Sequence, residues 1–288
     1  MKRIKLYQEK NAIGKRKTIV NTFVIIELLI ILMIMYSKIS SAQTHPSVLE
    51  IAKNGVYEMK EDTLVVDELI LRDSSKLVLN KNGKSIFLKA RRISVGSACS
   101  IIGNGEPGLT GIYGKNADQP KGACSNGLVG EIGMQGKDGE PGKKFILETE
   151  QMDITAMLSI SLIGGNGGDG GNGGSGSRGS RSTAHCTSNG GDGGAGATGG
   201  NGGNGGSFSL NCQKCSDIIK LTTRIALINR GGYQGYGGEG GKGGLRGEGA
   251  SEQQSKKGLA GKTGANGKRG VDGTPMFYSI VNAQAKME

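Results

Sequence analysis

The chain has 288 residues, of which 54 are Gly, 12 are Phe or Tyr and none is Trp. Nearly a fifth of the positions therefore lack a side chain that could fill a core, which argues against a conventional globular enzyme. The formal net charge is +11, but residues 1–42 carry +6 of it. The remaining +5 is spread over the chain without a basic run, so we predict no nucleic-acid partner.

The first 42 residues have the order of a secretory signal. Seven Lys and Arg residues lie in the first 17 positions, an apolar stretch predicted to be helical runs from Phe23 to Tyr36, and small residues follow up to Ala42. This order predicts cleavage before Gln43. An uncleaved membrane anchor is the alternative, although Glu27 would then lie in the bilayer. Both interpretations place the remainder outside the cytoplasm and allow membrane contact only through this segment.

Short apolar pairs alternate with turn-forming residues in the region 43–102. The pairs are Leu69/Leu71, Leu77/Leu79, Ile86/Leu88 and Ile93/Val95. They predict strands of about three to five residues that recur every seven to nine positions. Antiparallel hairpins fit this pattern, but the even spacing without Asn-Gly turns favours the successive faces of a parallel β-helix. The predicted fold class is mainly β and irregular, with a short β-helix-like scaffold.

Three glycine-rich segments interrupt this scaffold, and each follows a similar short apolar sequence, called a phrase below. The phrases begin at Ser100, Ser161 and Ala226, which are 61 and 65 residues apart. The predicted division is therefore glycine-rich segments at 103–144, 164–206 and 231–275, scaffold segments at 145–163 and 207–230, and a closing strand with a tail at 276–288. Within each glycine-rich segment, the sequence indicates an outgoing leg, a turn and a returning leg.

Glycine recurs every third position along these legs. Collagen has this period but needs three chains and long Pro-rich runs, whereas the whole chain has 5 Pro. The alternative is a left-handed helix with three residues per turn, which has no internal hydrogen bonds and must bond to neighbouring legs. A Gly-Gly-x leg has two bare edges. We therefore expect the Gly-Gly-x segment 164–206 to lie between the Gly-x-x segments 103–144 and 231–275.

These paired legs resemble the polyglycine-II bundles in the tail-fibre tip adhesins of some bacteriophages. They resemble more weakly the snow-flea antifreeze protein and bacterial collagen-like repeats. The resemblance covers about 130 residues of repeat chemistry. It implies a rigid bundle presented at a surface, and in the phage adhesins the loops at the leg ends contact receptors. The antifreeze comparison fits less well because Lys, Asp and Glu dominate the outward positions here.

Three turns at the leg ends, 115–126, 183–189 and 250–257, are the predicted contact loops. Their candidate contact residues are Lys115, Asn116, Asp118, Gln119, Lys121, His185, Asn189, Glu252, Gln253, Lys256 and Lys257. We expect a non-enzymatic, adhesin-like module whose partner is a cell-surface glycan or protein. A structural or spacer protein without a specific ligand is the alternative, and an ice-binding protein is a weaker one.

The 5 cysteines of an extracytoplasmic chain are expected to form disulfides. Cys124 and Cys186 lie in the turns of successive glycine-rich segments, and we predict that they pair. Cys212 and Cys215 form a C-x-x-C motif. A zinc site that combines this motif with His185 and Cys186 is the less favoured interpretation, since no second such motif is present. The sequence thus predicts no cofactor, metal or catalytic residue.

Overall fold

A computed structural model describes residues 47–183, 185–215, 218–249 and 255–279. The predicted signal or anchor at 1–42, the candidate contact residues Glu252 and Gln253, and the tail after residue 279 lie outside these residues.

The described part of the chain is mainly β. Its strands are β1 (Val48–Ile51), β2 (Val56–Glu58), β3 (Thr63–Leu71), β4 (Lys76–Val78), β5 (Ser85–Val95), β6 (Cys99–Ile102), β7 (Lys144–Ile154), β8 (Leu158–Ser161), β9 (Phe208–Cys212), β10 (Ile225–Ile228) and β11 (Pro275–Ser279). One short helix, α1 (Ile218–Thr222), precedes β10. The prediction of a mainly β chain is confirmed.

The strands form two parallel sheets. The first sheet has the order β1-β3-β5-β7-β9-β11, and the second has the order β10-β8-β6-β4-β2. Successive strands therefore alternate between the sheets, so that each odd strand is followed by an even strand on the opposite side. Every pairing between these named strands is parallel, which rules out the antiparallel hairpins for the described residues.

Equivalent apolar residues of successive strands stack inside the two sheets. All eight residues of the predicted apolar pairs are buried in this core. The stack continues beyond them, because Leu88 pairs with Leu147 and Leu147 pairs with Leu210. Phe145 and Phe208 lie on top of each other with ring centroids 5.6 Å apart. A narrow apolar core thus suffices, since the backbone groups bond to the strands on either side.

The expectation of short, separate strands is wrong at β5. The predicted pairs Ile86/Leu88 and Ile93/Val95 lie in one strand of 11 residues. Its alternation of buried and exposed residues shifts phase at Arg91 and Arg92, and the pairing with β3 and β7 skips Arg91. Each long strand is therefore two short apolar runs joined at a corner without a turn, so both runs face the core.

The glycine-rich segments leave after β6, β8 and β10 and return at β7, β9 and β11. We name their hydrogen-bonded stretches leg 1a (103–117), leg 1b (127–142), leg 2a (163–182), leg 2b (188–206), leg 3a (229–248) and leg 3b (256–273). The letter a marks the outgoing leg and b the returning leg. Within the described residues the legs form neither α-helix nor β-strand, and their backbone hydrogen bonds run between legs.

Candidate functional site: the glycine-rich legs and their far ends

The outgoing legs form one row and the returning legs a second. In the outgoing row, Gly108 of leg 1a donates to the carbonyl of Asn166 in leg 2a, and Gly167 donates to Tyr233 in leg 3a, both at 2.8 Å. The same bonds recur every third residue along the legs. The returning row repeats the arrangement, with leg 1b donating to leg 2b and leg 2b to leg 3b. The bonds between backbone groups within a row thus all run in the same direction, from the first segment to the second and from the second to the third.

Bonds between antiparallel legs join the two rows. Met134 of leg 1b donates to Ile112 of leg 1a at 2.8 Å, and Gly168 of leg 2a donates to Lys137 of leg 1b at 2.8 Å. Leg 2a accordingly bonds to legs 1a, 1b, 2b and 3a, and leg 2b bonds to legs 1b, 2a, 3a and 3b. The Gly-Gly-x segment therefore lies between the other two segments.

The third segment differs from its Gly-x-x description. Its outgoing leg contains Gly-Gly-x triplets such as Gly237-Gly238-Glu239 and Gly240-Gly241-Lys242, whereas its returning leg is Gly-x-x. Leg 3a bonds to legs 2a, 2b and 3b, but leg 3b bonds only to legs 2b and 3a among the described residues. The Gly-Gly-x leg of this segment thus bonds to three other legs and the Gly-x-x leg to two, so the triplet type follows the number of bonded neighbours.

Glycine is required where one leg meets the backbone of another. A Cβ atom at Gly168 would overlap the carbonyl oxygen of Leu109, and one at Gly203 would overlap the carbonyl oxygen of Glu140. Both obstacles are backbone atoms of neighbouring legs, so rotation of a side chain cannot relieve the overlap. The close approach of the legs therefore depends on the absence of a side chain at these positions.

Side chains of Asn and Asp supply further bonds between the legs. The Oδ1 atoms of Asn166, Asp169 and Asn172 in leg 2a accept the backbone N–H groups of Tyr233, Tyr236 and Glu239 at 2.8–2.9 Å. In the returning row, Asn204 accepts the N–H of Val271 in the same way at 2.9 Å. Each bond satisfies an N–H group that the backbone pairing leaves free, so we call these residues Asx stitches.

The turns at the far ends of the first two segments meet. The structure brings Cys124 and Cys186 together as a disulfide pair with a Cα–Cα distance of 5.8 Å. The backbone N–H of Cys124 also donates to the carbonyl of Arg181 at 3.0 Å. Thr183 lies beside the pair, with its Oγ1 3.1 Å from the Sγ of Cys186. The two turns are therefore joined covalently and through backbone bonds.

The third segment reaches the same end of the legs. Ser182 donates its backbone N–H to the carbonyl of Glu248 at 2.8 Å. Arg178 lies 2.6 Å from the carboxylate of Glu248, in an exposed ion pair that contributes about 0–1 kcal/mol. Gly190 of leg 2b donates to Lys256 of leg 3b at 2.9 Å. The ends of all three segments are thus gathered opposite the sheets.

The structure separates the candidate contact residues into two groups. Asp118, Gln119, Lys121, His185 and Lys257 are exposed beyond the regular legs or at their limit. Lys115, Asn116, Asn189 and Lys256 are exposed as well, but their backbones or side chains bond to neighbouring legs. Asn116, for example, accepts the N–H of Ser175 through its Oδ1 at 2.7 Å. The contact loop of the first segment therefore begins after Ala117 and not at Lys115.

The legs themselves carry exposed tyrosines, which lie outside the predicted contact loops. Tyr113, Tyr233 and Tyr236 have exposed fractions of 63%, 60% and 65%. They occupy the last positions of their triplets on legs 1a and 3a, on either side of leg 2a. A signal was present in the sequence, since Tyr233 and Tyr236 are three residues apart and therefore lie on one edge of a three-residue helix.

The remaining cysteines lie in the sheet region. Cys212 and Cys215 are paired with a Cα–Cα distance of 5.6 Å, and Cys99 is free and buried. The zinc interpretation required His185 and Cys186 next to this pair, but Cys186 instead pairs with Cys124. Within the described ranges, no cluster of three or more His, Cys, Asp and Glu side chains is arranged to hold a metal ion. The two cysteine pairs indicate an oxidising, extracytoplasmic environment.

No helix among the described residues is long and apolar enough to cross a membrane. Comparison of the chain with protein-family models, curated proteins and solved structures finds no match.

Proposed function

We propose that the protein is a secreted or cell-surface, non-enzymatic binding module of the adhesin type. In this proposal the two sheets are the faces of a short parallel β-helix, and the six legs are polyglycine-II helices that form a rigid bundle on it. A polyglycine-II leg rises about 3.1 Å per residue, so a leg of 16 residues projects roughly 50 Å. The partner is a cell-surface glycan or protein.

The observation that carries the proposal is the gathering of the three leg ends opposite the sheets. Irregular segments on a rigid scaffold are the usual location of binding residues, because the scaffold holds them in place at little entropic cost. The Cys124–Cys186 pair and the bond from Ser182 to Glu248 restrict the turns further. A protein that acts purely as a spacer has no need for diverse polar side chains at this end.

A replacement experiment tests the proposal. Wild-type mature chain is first applied to a printed glycan array and to a panel of intact cells to select a bound surface. Residues 118–123, 184–185 and 250–254 are then replaced by Gly and Ser, which leaves the paired cysteines and the legs unchanged. We expect attachment to be lost while thermal unfolding changes little.

The matched control replaces Lys262 and Lys268 by Ser. Both side chains are exposed on leg 3b, away from the three replaced turns. We expect this variant to attach like the wild-type chain. If attachment instead survives the three turn replacements made together, the spacer interpretation is preferred.

A further inference from the structure

The exposed tyrosines of the legs lie on one face of the bundle. We define the outgoing face as the surface formed by the last residues of the triplets in legs 1a, 2a and 3a. Tyr113 lies on one side of this face, Tyr233 and Tyr236 lie on the other, and all three are at least 60% exposed. Level with the tyrosines, leg 2a contributes the shorter polar side chains of Asn166, Asp169 and Asn172. The outgoing face therefore has a polar centre line between aromatic borders.

The polar centre line is held in a fixed orientation. Asn166, Asp169 and Asn172 each commit their Oδ1 atom to an N–H group of leg 3a at 2.8–2.9 Å. The described residues provide no hydrogen-bond partner for the second polar atom of these side chains, which is Nδ2 in Asn and Oδ2 in Asp. Because these residues are three apart, the second atoms recur at intervals of roughly 9 Å.

On the side of leg 3a, a neighbouring leg also contacts one of the exposed tyrosine rings. The guanidinium carbon of Arg269 in leg 3b lies 5.5 Å from the centroid of the Tyr233 ring. This cation–π contact holds the ring in one orientation before a ligand binds. Less side-chain conformational entropy is therefore lost on binding. The backbone N–H and C=O of Tyr233 and Tyr236 are both bonded to leg 2a, so the bases of these side chains are rigid.

We propose that the outgoing face binds an uncharged polysaccharide chain that runs along the legs. A sugar ring has an apolar C–H face that packs against tyrosine, and hydroxyl groups at its rim that bond to amide and carboxylate groups. The recurring arrangement along the leg suits a linear polymer with a repeating unit. The exposed charges on this face are mixed in sign, with Asp169, Glu239 and Glu248 against Arg178 and Lys242, so the face has no excess of one charge that would favour a charged polymer. This surface is separate from the loops of the proposed function.

The test measures binding of the mature chain to immobilised cellulose, chitin, mannan and starch, with alginate as the anionic polymer. Tyr233→Ala with Tyr236→Ala removes one aromatic border. Asn166→Asp keeps the oxygen that accepts the N–H of Tyr233 but removes the free amide donor. The matched control is Leu259→Ala, which truncates a 73% exposed side chain on the returning row. Thermal unfolding of each variant verifies that the bundle remains folded.

We expect the wild-type chain to bind at least one of the uncharged polymers. The double tyrosine variant should bind about tenfold or more weakly, in the range of an interface hot spot, and Asn166→Asp should weaken binding severalfold. Leu259→Ala and the variant with the three turns replaced should bind within about twofold of the wild-type chain. Unchanged binding in the turn-replaced variant would show that the polysaccharide binds at the outgoing face and not at the loops.

Three outcomes would overturn the proposal. They are absence of binding to every uncharged polymer, preference for alginate, and wild-type affinity in the double tyrosine variant. If polysaccharide binding is instead lost only when the turns are replaced, the loop function stands and the outgoing face is not the site.

Discussion

Glycine and Asx residues determine the contacts of the legs for different physical reasons. Glycine removes the atoms that would keep two backbones apart, as at Gly168 and Gly203. Asn and Asp satisfy N–H groups that no carbonyl of a neighbouring leg accepts. The period of glycine is evident in the sequence. The stitches could not be predicted from local pattern, because donor and acceptor are 67 residues apart and the register between legs is needed first.

Substitution of an interior glycine should disrupt the legs. We expect Gly168→Val and Gly203→Val each to lower the free energy of unfolding by about 3 kcal/mol or more, because the new side chain meets backbone carbonyls that cannot move aside. Lys262→Val at an exposed position should change the free energy of unfolding by less than about 0.5 kcal/mol. Chemical denaturation of the three variants measures the difference. Equal tolerance at all three positions would mean that the legs do not pack as described.

The stability that an Asx stitch contributes should depend on the acceptor oxygen of the side chain and not on the size of the side chain. We expect Asn204→Leu to lower the free energy of unfolding by about 1 kcal/mol, because the N–H of Val271 loses its acceptor. Asn204→Asp retains an oxygen acceptor and should stay close to the wild-type value. Thr198→Leu is the control, since Thr198 is exposed on the same leg and its side chain makes no such stitch in the described structure. Comparable losses in Asn204→Asp and Asn204→Leu would contradict the role of the oxygen.

At the scale of elements, apolar alternation was sufficient to predict strands but not their lengths. The pairs Ile86/Leu88 and Ile93/Val95 are both buried, as alternation predicts. The single strand β5 contains both pairs because Arg91 lies at a corner that needs no turn residue. Only the neighbouring strands reveal this corner, where Arg91 lies 4.0 Å from Asp67. Strand boundaries therefore depend on stacking that one stretch of sequence does not contain.

The Cys124–Cys186 pair should stabilise the far end of the legs more than the sheets. Its sequence separation is 62 residues, and closure of a loop of that size is worth about 4 kcal/mol in the chain-entropy model. We expect Cys124→Ser with Cys186→Ser to lower the thermal midpoint and to increase tryptic cleavage after Lys121 and Arg181. The far-UV circular dichroism of the sheets should remain.

The second cysteine pair provides the comparison for this prediction. Cys212 and Cys215 are only 3 residues apart, so their link removes less freedom from the unfolded chain. We expect Cys212→Ser with Cys215→Ser to leave cleavage after Lys121 and Arg181 unchanged. Faster cleavage in this variant, or protection of both sites in the first one, would show that the link at Cys124 does not hold the turns.

At the scale of the whole molecule, the two legs of the second glycine-rich segment join the legs of the first segment to those of the third. Legs 1a and 1b bond to each other and to legs 2a and 2b, and legs 3a and 3b do the same from the other side. Without legs 2a and 2b, each outer segment would keep only the bonds within its own pair of legs. Isolated pairs of extended chains are marginally stable in water, so the bundle should be cooperative through its centre.

Deletion of whole segments tests this cooperativity. We expect replacement of residues 164–206 by a short Gly-Ser turn to leave β8 and β9 in place but to expose Lys137, Lys262 and Lys268 to trypsin. Deletion of residues 104–142 by the same design is the control, because the four remaining legs keep their mutual bonds and should protect Lys262 and Lys268. Limited proteolysis followed by mass spectrometry distinguishes the two variants. Similar protection of leg 3b in both variants would mean that legs 3a and 3b are stable without the second segment. The second segment would then contact the other legs without stabilising them.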